Sequence, residues 1–210
     1  MLFNSIDFLI FFTLVLIGIY LIKIKKFQHI FLLVASYFFF YYSNNYLILL
    51  LIYSTIIDFY LGKAIYNTTS IQKKKILLIA SLAGNLGLLG FYKYSDFAIL
   101  QFNILGNSID LAHEIPLLNI ALPVGISFYT FQTISYTVDI YRGHLEPSKS
   151  FREFALFVAF FPQLVAGPIV RAKDFLPQLR EKLDNFSNGI QLRQIVIHNN
   201  NLKLGITIMA

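Results

Sequence analysis

The run Leu122-Pro-Val-Gly-Ile-Ser-Phe-Tyr-Thr-Phe-Gln132 continues to Arg142-Gly143 and is followed by Phe160-Phe-Pro-Gln-Leu-Val-Ala-Gly-Pro168. Both runs are apolar enough to lie in a bilayer, yet they contain glycine, proline, hydroxyl, amide and charged residues. Hydrocarbon tolerates such groups only where protein or a water-filled cavity receives them. We therefore expect any functional site of this chain to lie here.

The composition is that of an integral membrane protein. Of 210 residues, 57% are hydrophobic and 13% are charged, and the mean hydropathy is +0.65. A soluble domain carries about 25% charged residues. The absence of cysteine excludes disulfides and thiolate metal sites. We assign the net charge of +6 to loops that face anionic headgroups, and we expect no nucleic-acid partner.

Apolar runs and basic loops predict five membrane spans. Lys/Arg clusters follow the first, third and fifth runs, which places these loops in the cytoplasm and the N-terminus outside. Residues 95–119 contain no Lys or Arg, as expected of an outer loop, here with a short interfacial helix at 97–105. The expected location is a cell membrane that the chain crosses several times. The predicted spans are 6–22, 29–42, 46–61, 76–92 and 123–141.

The sixth apolar segment, residues 154–170, does not fit the charge pattern. A full crossing would carry Arg171 and the lysines beyond it to the outside, and Pro162, Gly167 and Pro168 interrupt the segment. We expect a broken or re-entrant element buried among other helices; a plain crossing is the alternative. The predicted fold is thus all-α and multi-pass, with about five spans plus this broken helix.

Polar residues recur along one face of the fifth span. Tyr129, Gln132, Tyr136 and Asp139 are three or four positions apart, and Arg142 lies one step further, placed to pair with Asp139. The face is either a stripe that packs helices together or the polar wall of a cavity. The sequence leaves both interpretations open.

Other polar residues in the apolar runs have simpler expected roles. Asp58 precedes Lys63 by about one turn, which favours an interfacial ion pair; an intramembrane functional acid is the alternative. Asn85 is expected to bond between helices. Glycines three apart predict a smooth face for another helix: Gly84, Gly87 and Gly90.

Histidines provide no recognisable metal site. No two of the four share helical spacing, and none stands in a zinc-binding pattern with a glutamate. We expect no bound metal or cofactor and take each as an ordinary surface residue. The four are His29, His113, His144 and His198.

The quoted motifs, together with Tyr136-Thr-Val-Asp139-Ile-Tyr-Arg142, resemble the membrane-bound O-acyltransferases, and most closely the bacterial alginate O-acetyltransferase branch. The likeness covers residues 1–192. It implies transfer of an acyl group from a cytoplasmic thioester such as acetyl-CoA to a polysaccharide hydroxyl outside. It also implies an extracytoplasmic partner protein, besides membrane lipid and the polysaccharide acceptor.

The family's catalytic histidine stands in a Trp-His stretch that this sequence does not match. We therefore assign no catalytic residue and expect the chain alone to be inactive. Residues 193–210 turn polar where the family continues apolar, which indicates a truncation or a shifted reading frame. The alternative function is a non-catalytic membrane partner or scaffold of an acyltransferase complex.

The cytoplasmic end of the broken segment is where a donor would enter. We expect Arg171 and the Gly167-Pro168 corner to shape this entrance, because a guanidinium attracts the phosphates of the donor. The alternative is that Arg171 is only a basic anchor at the membrane surface. The candidate cavity-lining set is Tyr129, Gln132, Tyr136, Asp139, Arg142, Pro162, Gly167, Pro168 and Arg171.

Overall fold

The computed structural model describes residues 5–108, 114–166 and 170–187, and this part of the chain is all-helical. The polar tail at 193–210, Gly167, Pro168, His113 and His198 lie outside the described residues. The α-helices are α1 (Ile6–Leu21), α2 (Lys25–Asn44), α3 (Ile48–Asn67), α4 (Ile71–Ser108), α5 (Ile126–Tyr141), α6 (Phe151–Ala159), α7 (Phe161–Ala166) and α8 (Ala172–Ser187), with a 3₁₀-helix (Asn45–Leu47) between α2 and α3.

Helix ends follow local signals in the sequence. Ser5 caps α1, since its Oγ accepts a hydrogen bond from the Phe8 amide at 3.2 Å. Asn45, with φ of 49°, ends α2. Gly143, with φ of 74°, ends α5 in a Schellman motif, where its amide donates to the Ile140 carbonyl. The boundary between the predicted spans 29–42 and 46–61 is therefore present.

Helix α4 differs from the prediction of a span followed by a separate outer helix. It is one continuous helix of 38 residues, roughly 57 Å long at 1.5 Å per residue. The physical reason is that residues 93–96, Lys-Tyr-Ser-Asp, contain neither Pro nor Gly to stop it. Within the described residues, two runs are long and apolar enough to cross a membrane, namely Lys26–Asn67 and Ile71–Ser108. The number of five spans stays a prediction.

Helices α3, α4 and α5 pack together and form the centre of the fold. Gly62 permits the close approach of α3 and α5, because a Cβ there would lie 2.8 Å from Cε1 of Tyr136. The expected glycine face on α4 is not used for packing: a Cβ at Gly87 or Gly90 would meet no atom within 4 Å, and one at Gly84 only the Tyr53 hydroxyl, at 3.9 Å. That prediction is wrong for the described residues, because the facing side of α4 is the one that carries its polar residues.

The sixth apolar segment is interrupted, as expected. Helix α6 has 9 residues and ends at Ala159, and the next residue, Phe160, is not helical. The helix therefore extends only about 13 Å. All side chains at 154–159 are fully buried. After α7 the chain returns toward α6, since the Phe175 ring of α8 lies 5.5 Å from Phe157 and 5.3 Å from Phe160.

Candidate functional site

Side chains from two neighbouring helices bond the backbone around the break between α6 and α7. Gln132 of α5 donates from Nε2 to the Phe157 carbonyl at 2.8 Å and to Oε1 of Gln163 at 3.3 Å. The Phe161 amide donates to Oγ of Ser36, a fully buried residue of α2, at 3.4 Å. Irregular backbone in an apolar interior needs such partners. The break is therefore held in place by specific contacts.

The Phe161 ring anchors the start of α7 in an aromatic cluster of α1 and α2. Its centroid lies 5.2 Å from that of Phe11 and 5.6 Å from that of Phe39. Edge-to-face and tilted pairs at these distances add to the free energy gained by burial. The role of Ser36 could not be predicted from the sequence, because a single serine in an apolar helix carries no pattern.

The polar face of α5 is turned into the protein. Tyr129, Gln132, Tyr136 and Asp139 are 1%, 4%, 0% and 6% exposed. We call these four residues the α5 ridge. It lies against α3, α4 and α6, so neighbouring helices, and not lipid, receive its polar groups.

Tyr136 joins the ridge to the loop that precedes α6. Its ring packs on Phe154 with centroids 4.3 Å apart. Its hydroxyl accepts a hydrogen bond from the Ser148 amide at 3.0 Å. One side chain thereby positions both the loop and the first half of the broken segment.

Two ridge atoms have no hydrogen-bond partner within the described residues: Oη of Tyr129 and Oδ2 of Asp139. Both side chains are more than nine-tenths buried. A buried polar atom without a partner costs about 1–3 kcal/mol. These two atoms are thus a free donor and a free acceptor, able to bond an oxygen and an N–H or O–H respectively.

The expected ion pair between Asp139 and Arg142 is not formed. Arg142 is the exposed C-cap residue of α5, followed by the left-handed Gly143. A guanidinium at a helix end remains in water at little cost, whereas Asp139 is carried inward on the buried face. This part of the prediction is corrected.

The expected pairing of Asp58 with Lys63 is also wrong. Asp58 is 0% exposed; its Oδ1 accepts from Ser81 at 2.6 Å and its Oδ2 from Asn85 at 2.8 Å. Lys63 instead places Nζ 4.1 Å from the centre of the Phe59 ring. The reason is helical phase: Lys63 lies five positions after Asp58, about 140° further around α3, so Asp58 faces α4 while Lys63 reaches the protein surface.

Asp58 belongs to a buried polar cluster that joins α3, α4 and α5. Asn85 bonds between helices as expected: its Oδ1 accepts from Ser54 at 2.9 Å and from Thr133 at 3.4 Å. The hydroxyls of Ser81 and Thr137 are 3.1 Å apart. Each helix supplies two members four positions apart, a signal that the sequence analysis could have used. The cluster consists of Ser54, Asp58, Ser81, Asn85, Thr133 and Thr137.

The remaining candidate residues lie at the edges of the site. Pro162 is the second residue of α7 and is half-buried. Arg171 is exposed directly before α8, and its carbonyl accepts from the Asp174 and Phe175 amides at 3.0 Å. The structure therefore brings the ridge and the break together and leaves Arg142 and Arg171 at the surface.

The described residues contain no group of three His, Cys, Asp or Glu side chains that could hold a metal ion. An open groove of about 240 Å³ lies between α1 and α2, away from the ridge. Its lining residues are Asp7, Ile10, Phe11, Leu14, Phe38 and Tyr42.

Comparison with known proteins identifies relatives of this chain. A probable alginate O-acetylase, AlgI, of Pseudomonas aeruginosa is 35% identical over 196 residues, which cover 90% of this chain and 37% of the relative. The Pseudomonas putida protein of the same name is 34% identical over 194 residues, covering 90% and 40%. A peptidoglycan O-acetyltransferase of Helicobacter pylori is 33% identical over 159 residues, covering 64% and 29%.

These matches confirm the resemblance to the acetyltransferase family that the motifs predicted. The chain spans about 40% of the length of the curated relatives that it matches. No family model matches the chain, and no solved structure matches it significantly.

Proposed function

We propose that this chain, a homologue of bacterial polysaccharide O-acetyltransferases, forms part of a membrane-bound O-acyltransferase that acetylates an extracellular polysaccharide such as alginate. The relatives' names support this reaction class. The structural observation that carries the proposal is the break between α6 and α7, enclosed by α2 and α5. Broken helices in membrane proteins line sites where substrates meet.

The proposed protein crosses the bacterial inner membrane about five times, with its N-terminus outside. Helix α1 supports this arrangement, because it exposes large apolar side chains that water would not favour and lipid would. Lys73, Lys74 and Lys75 in the first turns of α4 support a cytoplasmic position for that end. Helix α6 would then start at the cytoplasmic side and end near mid-membrane.

The proposed reaction is acyl transfer between a cytoplasmic thioester and an outer hydroxyl. The hydroxyl oxygen attacks the thioester carbonyl, a C–O bond forms, the C–S bond breaks and the thiol leaves with the hydroxyl proton. The α5 ridge and the buried break would hold the donor's acyl end away from bulk water. Acetyl-CoA is the proposed donor, and the free Tyr129 hydroxyl and Asp139 carboxylate are candidate contacts for it.

We assign the general base to none of the four histidines of this chain. His144 is exposed after α5. His29 is not the surface residue that we expected: it lies in the first turns of α2 and is only 5% exposed, since α2 packs against α1 and α6. Neither stands beside a tryptophan, as the family's catalytic histidine does. A base must lie within hydrogen-bond reach of the attacking hydroxyl. We propose that the longer enzyme supplies it from outside the matched segment, so the chain alone would not transfer acetyl groups.

A hybrid enzyme tests the proposal. This chain would replace the matched segment of the Pseudomonas aeruginosa relative, and membranes would be assayed for transfer from acetyl-CoA to deacetylated alginate. We expect transfer by the hybrid and none by the chain alone. A hybrid present at the relative's abundance but without transfer would refute the proposal, and co-purification of the chain with an intact acetyltransferase would then favour a scaffold.

Arg171 is the proposed donor contact at the cytoplasmic entrance. Its guanidinium is exposed just before α8, whose first turn packs on α6. In the hybrid, Arg171→Ala should raise the apparent KM for acetyl-CoA by about tenfold, the loss of one charge-assisted contact. Lys173→Ala, an exposed neighbour, is the matched control. Equal KM values for both variants would leave Arg171 as a basic membrane anchor only.

A further inference from the structure

The second half of α4 and the chain that follows it form a projecting arm. We define the arm as residues 97–108 of α4 together with the extended segment 114–119. Asn103 donates from Nδ2 to the Ile115 carbonyl at 2.8 Å, and its Oδ1 accepts from the Ile115 amide at 3.0 Å. Asp96 accepts from the Leu118 amide at 2.7 Å. The segment is therefore bonded along one flank of the helix.

The other flanks of the arm are mostly apolar and are exposed. Phe97 is 61% exposed and Leu105 is 66% exposed. At about 100° per residue, the exposed apolar side chains cover an arc of roughly 200°, which also contains the exposed polar residues Gln101 and Ser108. A wide, mostly apolar face with a few polar groups fits the boundary between headgroups and acyl chains, whereas a protein-docking helix presents one narrow stripe. The exposed residues are Phe97, Leu100, Phe102, Ile104 and Leu105, with Ile115, Leu117 and Leu118 on the extended segment.

The charges of the arm exclude an electrostatic basis for binding. The sequence has no Lys or Arg between Tyr94 and Tyr141. The acids of the described arm and its base are occupied: Asp96 bonds the extended segment, and Glu114 accepts from Asn107 at 3.1 Å. Anionic headgroups and anionic polysaccharides both require cations on the protein. The surface fits the apolar boundary of a neutral lipid leaflet.

The length of α4 agrees with this placement. A tilt of about 40° would fit the whole helix into the 40–45 Å that a bilayer measures with its headgroups. The arm would then lie at the outer headgroup boundary and not in water.

We infer that the arm is a lipid-binding element that lies in the outer leaflet at the boundary between headgroups and acyl chains. It would hold the start of α5 at a fixed depth, because the extended segment leads into Val124, whose amide donates to Oδ1 of Asn44 at 2.6 Å. The inference rests on the membrane insertion in the proposed function, and not on acetyl transfer.

Single tryptophans can measure the depth of the arm, because the chain contains no Trp. Phe97→Trp and Leu105→Trp would be placed in the full 210-residue chain, reconstituted in phosphatidylcholine vesicles. Leu86→Trp, exposed midway along the spanning half, and Lys73→Trp, in the first turn, are the references. Lipids brominated near the headgroup or deep in the acyl chain, and aqueous iodide, are the quenchers.

We expect shallow bromines to quench both arm positions best and deep bromines to quench Leu86→Trp best. Iodide should quench the arm about fivefold less than Lys73→Trp, as expected for a helix seated in the interface. Adding the anionic lipid phosphatidylglycerol should leave the depth of the arm unchanged. A change in depth would show that charge, and not apolar contact, holds the arm in the membrane.

Two results would overturn the inference. If iodide quenches the arm as strongly as it quenches Lys73→Trp, the arm lies in water. If no quencher reaches the arm, the arm lies against protein. Leu86→Trp separates these results from a failure of insertion: if deep bromines do not reach it, the membrane topology itself is wrong. Phe97→Trp replaces one exposed ring by another, so folding is retained in at least this variant.

Discussion

At the scale of single residues, Gln132 contributes to the site by hydrogen bonding and not by charge. It bonds the Phe157 carbonyl, which the helix itself leaves without a partner where α6 ends. We expect Gln132→Leu to lower the free energy of unfolding by about 1–3 kcal/mol, since a buried carbonyl then loses its donor. Unfolding in mixed micelles measures this loss in the free energy of unfolding. Gln101→Leu, at an exposed position of α4, is the control, and an equal loss there would contradict the assigned contact.

Asp58 and Lys63 give a second test at this scale, because the structure separates residues that the sequence pairs. Asp58→Leu leaves the Ser81 and Asn85 donors without their acceptor and should cost about 2 kcal/mol or more. Lys63→Met should change stability by less than about 0.5 kcal/mol. Comparable losses in the same unfolding assay would restore the ion-pair interpretation.

At the scale of elements, helix packing depends on which glycine lies at a close contact between two helices. A Cβ at Gly62 would lie 2.8 Å from Tyr136 and 3.0 Å from Ile140, so α3 and α5 would have to separate. Gly62→Ala should therefore destabilise the protein by about 1–3 kcal/mol. Gly87→Ala meets open space and should be neutral or stabilise α4 by up to about 1 kcal/mol. The opposite order of thermal stabilities would show that the α4 glycines carry the packing.

The broken segment depends on its aromatic anchor as well as on hydrogen bonds. Phe161→Ala removes the ring that contacts Phe11 and Phe39 and should cost about 3–5 kcal/mol. Phe102→Ala, at an exposed ring of the arm, should cost much less in detergent. If limited proteolysis cuts the α6–α7 region no faster in Phe161→Ala than in Phe102→Ala, the ring is not the anchor.

At the scale of the whole molecule, the orientation in the membrane follows from the two ends of α4. Because the chain has no Cys, single cysteines report accessibility without background. An impermeant maleimide should label Asn119→Cys in intact cells whose outer membrane has been permeabilised, and Lys73→Cys only after the inner membrane is opened. Both positions are exposed on the protein. The reverse labelling pattern would place the N-terminus in the cytoplasm.

Much of the architecture was readable from local patterns. Apolar runs predicted the helices, Asn45 and Gly143 ended α2 and α5, and Pro162 marked the interrupted segment. Spacings of three and four predicted which side chains of α5 share a face, and that face is buried. The ion pairs expected within single helices failed, Asp58 with Lys63 and Asp139 with Arg142, because spacing specifies a direction around one helix and not the neighbour that lies there.

The sequence by itself determined an all-helical, strongly apolar chain with one polar ridge and one broken segment, since composition and periodicity act within a helix. Only the tertiary structure decided that Gln132 of α5 and Ser36 of α2 bond the backbone on either side of the break in sequence, at Phe157 and Phe161. It also decided that Asp58 bonds Ser81 and Asn85 rather than Lys63. The physical reason is that a buried polar atom bonds the donor or acceptor that packing brings within about 3 Å, however distant that group is along the chain.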